Sequence, residues 1–134
     1  MKNIIIVTGG AGFIGSNLIK YLIQKTKFKI ISIDNYSTGT IKNHIIHKNV
    51  RYIKNENINI SKILKSYKKK IKVIFHFGEF SRIYQSFLKP KECLNSNINN
   101  SFEVINFAKD NKIKVIYSAT SSALGNNGMD ENLS

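Results

Sequence analysis

Short apolar runs alternate with longer amphipathic stretches along this chain, the pattern of strand–helix units repeated around a parallel sheet. Ile4–Thr8 is an apolar run that ends at glycines, as suits a central strand covered on both faces. From Gly12 to about Gln24, Phe13, Ile14, Leu18, Ile19, Leu22 and Ile23 recur at helical spacing. Lys29–Asp34 reads as a second strand, Asn35–Gly39 as a turn and Val50–Ile53 as a short third strand. Ser61 to Tyr67 predicts a helix with Ile63, Leu64 and Tyr67 on one side, followed by a fourth strand at Lys72–Phe77. Pro90 suits a first helical turn and opens a long predicted helix that carries Leu94, Ile98, Phe102, Ile105 and Phe107 to about Lys109. Asp110-Asn111 stops it, Ile113–Ser118 is the fifth strand, and residues 125–132 form a polar loop. No repeat or linker interrupts the pattern. Residues 1–134 are therefore expected to form one α/β domain, a doubly wound parallel sheet truncated after about five strands.

Composition narrows the class. A chain of 134 residues can bury one core, and 42% hydrophobic residues describe a globular chain rather than a disordered one. No apolar run reaches the length that spans a bilayer, and the opening stretch is too short for a signal-peptide core. A cytoplasmic location and no membrane partner are the expectation. Cys93 is the only cysteine and can form no internal disulfide, which agrees with a reducing compartment. No CxxC partner accompanies it, so its role is packing, and no metal site is expected.

The net charge of +13 raises the question of nucleic acid. Nearly all of it is lysine spread along the chain, with Arg51 and Arg82 the only arginines. Arginine is the residue suited to bidentate phosphate and base contacts. Isoleucine and asparagine are abundant as well, so the lysines read as compositional bias, and no nucleic-acid partner is expected.

The chemistry lies at the first strand end. Gly9-Gly10-Ala11-Gly12-Phe13-Ile14-Gly15 follows that strand directly and opens the first helix. Gly9 permits a tight turn, Gly12 lets backbone approach a pyrophosphate at the positive helix end, and Gly15 allows close helix–strand packing. Roughly twenty residues later the second strand ends in Asp34, placed to accept hydrogen bonds from adenosine ribose hydroxyls. Its charge repels a 2′-phosphate, and no arginine stands beside it. These features predict a Rossmann-type domain with NAD, rather than NADP, as cofactor.

Thr8–Gly15 and Asp34–Gly39 together resemble the extended short-chain dehydrogenase/reductase family, in particular its NAD-dependent nucleotide-sugar epimerases and dehydratases, including UDP-glucose 4-epimerase-like members. The resemblance runs the whole length. It implies cofactor contacts from Gly9, Gly12, Phe13, Ile14 and Gly15, and from Asp34, Asn35, Ser37, Thr38 and Gly39. Asn57, with Ile58 beside it, stands where the family carries an aspartate that meets the adenine amino group, and an amide oxygen can accept the same bond. Phe75-His76-Phe77-Gly78-Glu79 matches a His-Leu-Ala-Ala or His-Phe-Ala-Gly stretch lining the cofactor, so Phe77, Gly78 and Glu79 join the implied site. Glu79 departs from the pattern, which has a small residue there. Asn97 matches the asparagine of the family's Asn-Val-x-Gly-Thr motif.

Tyr117–Gly125 resembles the segment that supplies the family's active-site Ser or Thr, and Thr120 takes that position, its hydroxyl bonding the sugar C4 oxygen during hydride transfer. The dehydratases carry Thr-Asp-Glu here; Thr120-Ser121-Ser122 has no acid, which favours epimerisation or simple carbonyl redox. The family's general base is the tyrosine of a Tyr-x-x-x-Lys motif, expected beyond Ser134. None of the tyrosines is read as supplying it: Tyr67 is followed at that spacing by Ile71, Tyr84 by Leu88 and Tyr117 by Ser121. Two readings stay open. In one, the chain is the NAD-binding portion of a nucleotide-sugar epimerase whose full-length form is a homodimer with a nucleotide-sugar substrate. In the other, it is a truncated, non-catalytic dinucleotide-binding product. A related dehydratase or reductase is the remaining alternative.

Overall fold

The computed structural model describes residues 1–119. Five parallel strands form one sheet: β1 (Ile4–Thr8), β2 (Lys29–Asp34), β3 (Val50–Lys54), β4 (Ile71–His76) and β5 (Lys114–Tyr117), in the order β3-β2-β1-β4-β5. This is the expected α/β doubly wound arrangement. β1 is central, and every residue of it is buried. Alternate side chains explain why the run is continuously apolar. Ile4 and Ile6 face a core completed by Ile31, Ile33, Ile74, Leu64, Val104 and Phe107. Ile5 and Val7 face the other side, where Ile30 meets Ile19 and Leu22 of α1 (Phe13–Lys25). A helix layer therefore covers each face.

Two helices differ from the sequence pattern. The stretch expected as a helix over Ser61 to Tyr67 is helical only as α2 (Ile60–Ile63). Beyond it the chain tightens into three-residue turns, with the Tyr67 amide donating to the Leu64 carbonyl (2.9 Å) and the Lys70 amide to that of Tyr67 (2.8 Å). Such turns still seat Leu64 and Tyr67 on the core, so the apolar spacing did not distinguish them from a helix.

The long helix expected from Pro90 is interrupted. α3 (Ile83–Leu88) precedes it and was not foreseen, because its apolar residues Ile83, Phe87 and Leu88 are exposed. α4 (Pro90–Leu94) and α5 (Ser101–Asp110) are then joined by a widened π-type segment, Asn95–Asn100. Lys89, the residue before Pro90, is held out of helical geometry (φ −133°, ψ 60°), which separates α3 from α4. Among the described residues, no helix is long and apolar enough to cross a membrane.

Candidate active-site cleft

The strand order reverses direction of growth at β1: β2 leads away on one side and β4 on the other. In doubly wound sheets, ligands bind at that switch, beyond the carboxyl ends of the strands. A cleft of about 870 Å³ lies there, a volume in the range of cofactor sites. Its floor is the glycine loop. Gly9 has φ +73°, and a Cβ at that position would sit 2.7 Å from the Phe77 carbonyl carbon, so both turn and packing require glycine. A Cβ on Gly15 would strike the Gly9 carbonyl oxygen, so the start of α1 rests directly on the loop. Gly12 differs, since a Cβ there would meet only the Gly9 oxygen at 3.3 Å. Gly12 caps α1 without any side-chain acceptor, and it lines the cleft with Phe13, Ile14 and Gly15. The first-turn amides of such a helix need an acceptor and favour an anion.

Asp34 ties this floor to the wall. One carboxylate oxygen accepts from the Ala11 amide (2.9 Å) and the other from the Tyr36 amide (2.8 Å), which holds Tyr36 at φ 60°. Asp34 is thus more than a turn residue, and it organises the glycine loop. Asn35, Ser37, Thr38 and Gly39 continue the wall, with the Asn35 amide donating to Glu56 (3.2 Å). The Asn57 amide nitrogen donates to the Gly78 carbonyl (3.3 Å), whereas its buried oxygen has no partner among the described residues. An orphaned acceptor in a cleft wall fits a ligand donor such as an exocyclic amine. Ile58 departs from expectation. Its side chain is exposed and lies in a smaller recess beside the cleft, because the tight turn at Asn57–Asn59 directs Asn57, rather than its neighbour, inward.

At the β4 end, polar side chains form an ordered chain. The Thr8 hydroxyl accepts from the Phe77 and Gly78 amides (both 3.1 Å) and contacts His76 Nδ1 at 2.6 Å. Its proton therefore points to Nδ1, which assigns the proton on His76 to Nε2, facing Ser101 Oγ at 2.8 Å. Ser101 in turn donates to Glu79 Oε1 (2.8 Å), as does the Tyr117 hydroxyl (2.6 Å). Burial lowers the His76 pKa, with the Glu79 charge opposing, and the Glu79 hydrogen bond pushes the Tyr117 phenol up to about 12. Glu79 thus ends the chain as an acceptor.

The cleft gathers all the expected cofactor residues except Ile58. Asn97 stands in the wall, yet its amide is engaged with backbone: the oxygen accepts from the Phe80 amide (2.6 Å) and the nitrogen donates to the Phe80 carbonyl (2.9 Å). Its place in this structure is to clamp the loop after β4. Thr120 lies outside the described residues. A Tyr-x-x-x-Lys spacing does occur, at Tyr21 and Lys25, contrary to the sequence reading; both are exposed on α1 and neither lines the cleft. Sequence reasoning missed Glu56, Phe80, Ser81, Arg82 and Tyr117, which also line it. Their position at or just after strand ends was the available signal.

Residues 5–133 match the NAD dependent epimerase/dehydratase family. The chain belongs to this family. Among related proteins, this family member is 34% identical over 137 residues to ADP-L-glycero-D-manno-heptose-6-epimerase of Brachyspira hyodysenteriae (strain ATCC 49526 / WA1), covering 95% of the chain and 41% of that relative. It superimposes with a TM-score of 0.81 on UDP-N-acetylglucosamine 4-epimerase from Methanobrevibacter ruminantium M1, solved with UDP-N-acetylmuramic acid, at 32% identity over 98% of this chain and 43% of that one. The Bordetella bronchiseptica enzyme WbmF, solved with NAD+, gives a TM-score of 0.81 at 26% identity over 89% and 36%. The chain therefore spans less than half the length of these relatives.

Proposed function

We propose that this chain is the NAD-binding portion of a nucleotide-sugar epimerase that uses NAD rather than NADP. The observation that carries this reading is Asp34, fixed by the Ala11 and Tyr36 amides at the end of β2 and lining the cleft beside the glycine loop. Each carboxylate oxygen keeps a lone pair for a ribose hydroxyl, while its charge opposes a 2′-phosphate in the same place. The first turn of α1 holds the pyrophosphate, and the unpartnered Asn57 oxygen accepts from the adenine amine. NAD, when bound, supplies the hydride acceptor and donor for a sugar carbon. Thr120 is assigned to orient the sugar C4 oxygen, and the acid-free Thr120–Ser122 favours epimerisation over dehydration. The same reading makes the full-length protein a homodimer, with exposed Leu94, Ile98, Phe102 and Ile105 as the row that a second copy covers.

Titration with NAD+ and NADP+ tests the cofactor assignment. We expect NAD+ to bind at least about tenfold more tightly, the scale of one close like-charge contact at the edge of a protein. Asp34→Asn, which keeps an acceptor and removes the charge, should narrow that difference. Equal affinities in the unaltered protein contradict the assignment.

A further inference from the structure

Glu79 is the residue that the cofactor reading leaves without a task. With the pyrophosphate at the first turn of α1 and adenosine beside Asp34 on the β2 side, the other half of a dinucleotide continues across the switch point. It then lies over the ends of β4 and β5, where Phe77, Gly78, Glu79 and Tyr117 line the cleft. Glu79 is held there by two hydroxyl donors on one oxygen, Ser101 at 2.8 Å and Tyr117 at 2.6 Å. Its other oxygen takes no hydrogen bond among the described residues. The proton order from Thr8 through His76 and Ser101 makes that bonded oxygen an acceptor, and the side chain is 19% exposed. No lysine or arginine among the described residues pairs with it; its one cationic-type neighbour is His76 Nε2 at 3.9 Å, on an imidazole that burial keeps neutral. Arg82 lines the same end but is exposed, where solvent and salt screen its charge.

We propose that Glu79 is a specificity-determining residue for the redox state of the cofactor: its fixed negative charge at the nicotinamide half of the cleft favours NAD+ over NADH. The inference rests on the cofactor reading above. The oxidised nicotinamide ring carries a positive charge and the reduced ring none. A carboxylate in a half-buried wall therefore stabilises one form and not the other. The consequence is a resting protein that holds the oxidant, ready to take a hydride from a sugar rather than to reduce one.

The test is the ratio of dissociation constants, Kd(NADH)/Kd(NAD+), measured by calorimetry on the unaltered protein, Glu79→Gln and Tyr117→Phe. Glutamine retains an oxygen for Ser101 and Tyr117 while removing the charge. Tyr117→Phe removes one hydrogen bond to Glu79 and leaves the charge. We expect the ratio to fall on the order of tenfold in Glu79→Gln, as a charge pair several ångströms apart at a protein edge implies, and to stay within about twofold in Tyr117→Phe. An unchanged ratio in folded Glu79→Gln overturns the proposal, as does unaltered protein that binds NADH more tightly than NAD+, whether or not the variant folds. If neither form binds the unaltered protein, the cofactor reading itself fails. If both bind and the ratio alone is insensitive, only the role of Glu79 fails.

Discussion

His76 sits fully buried between Thr8 and Ser101, and burial lowers its pKa below the ordinary histidine value despite the nearby Glu79 charge. In the unfolded chain the same imidazole titrates near about pH 6.5. Between that value and the lower folded pKa, the unfolded chain binds a proton that the folded one refuses, so stability falls as pH falls through this window. Above it the contribution is fully present. Urea unfolding at pH 7.5 and 5.5 should therefore show a larger loss for the unaltered protein than for His76→Gln. Equal losses contradict the account. At this scale the sequence was informative wherever a residue's type fixes its task. Gly9, Gly15 and Asp34 stand where the glycine spacing and the strand end put them. It was uninformative for Asn97 and Glu79, because an amide or carboxylate near a cleft can face a ligand or the protein, and only the partners decide. Asn97 faces backbone at Phe80, and one oxygen of Glu79 faces Ser101 and Tyr117.

The glycine loop and the start of α1 act as one element, and its three cleft-side glycines are unequal. A Cβ is barred by backbone at Gly9 and Gly15, whereas at Gly12 it would press on the Gly9 oxygen alone, at 3.3 Å, a contact that a shift of a few tenths of an ångström relieves; φ −80° and ψ 176° there are open to any residue. Gly12→Val should thus fold, with unchanged far-ultraviolet circular dichroism, while its branched side chain occupies the approach to the first-turn amides. NAD+ affinity should drop by more than about tenfold, the scale of losing a charge-assisted hydrogen bond to phosphate. Folded Gly12→Val with normal NAD+ affinity would show that the loop is not the pyrophosphate site. Strands were the most legible elements, since Ile4–Thr8 and Lys29–Asp34 are bounded by charge on one side and turn residues on the other. Helices were less so. Periodicity alone does not separate α2 and its three-residue turns from one helix, and it says nothing of the π-type widening at Asn95–Asn100.

At the scale of the molecule, what the described residues leave uncovered matters as much as what they bury. Among the described residues β5 is an edge strand paired only with β4, and Ile116 and Tyr117 on it are exposed. Edge strands with free backbone groups recruit other chains. On α4, the π-type segment and α5, Leu94, Ile98, Phe102 and Ile105 form an exposed apolar row at helical spacing. Opposing both is a net charge of +13, whose self-repulsion keeps copies of the 134-residue chain apart at low ionic strength. Salt shortens the reach of that repulsion to about 8 Å near physiological strength and about 3 Å at 1 M, and leaves apolar contact untouched. The 134-residue chain should therefore associate increasingly as salt rises. NAD+ should oppose unfolding by mass action, by about 2.7 kcal/mol at a hundredfold excess over Kd, without covering either surface. Light scattering across a salt series, with and without NAD+, separates these effects. Phe102→Lys should suppress a discrete dimer if the helical row is the contact, and should leave open-ended association unchanged if the β5 edge is. A monodisperse monomer at 1 M salt without cofactor would mean that neither surface recruits a second copy, and the homodimer reading would lose its contact.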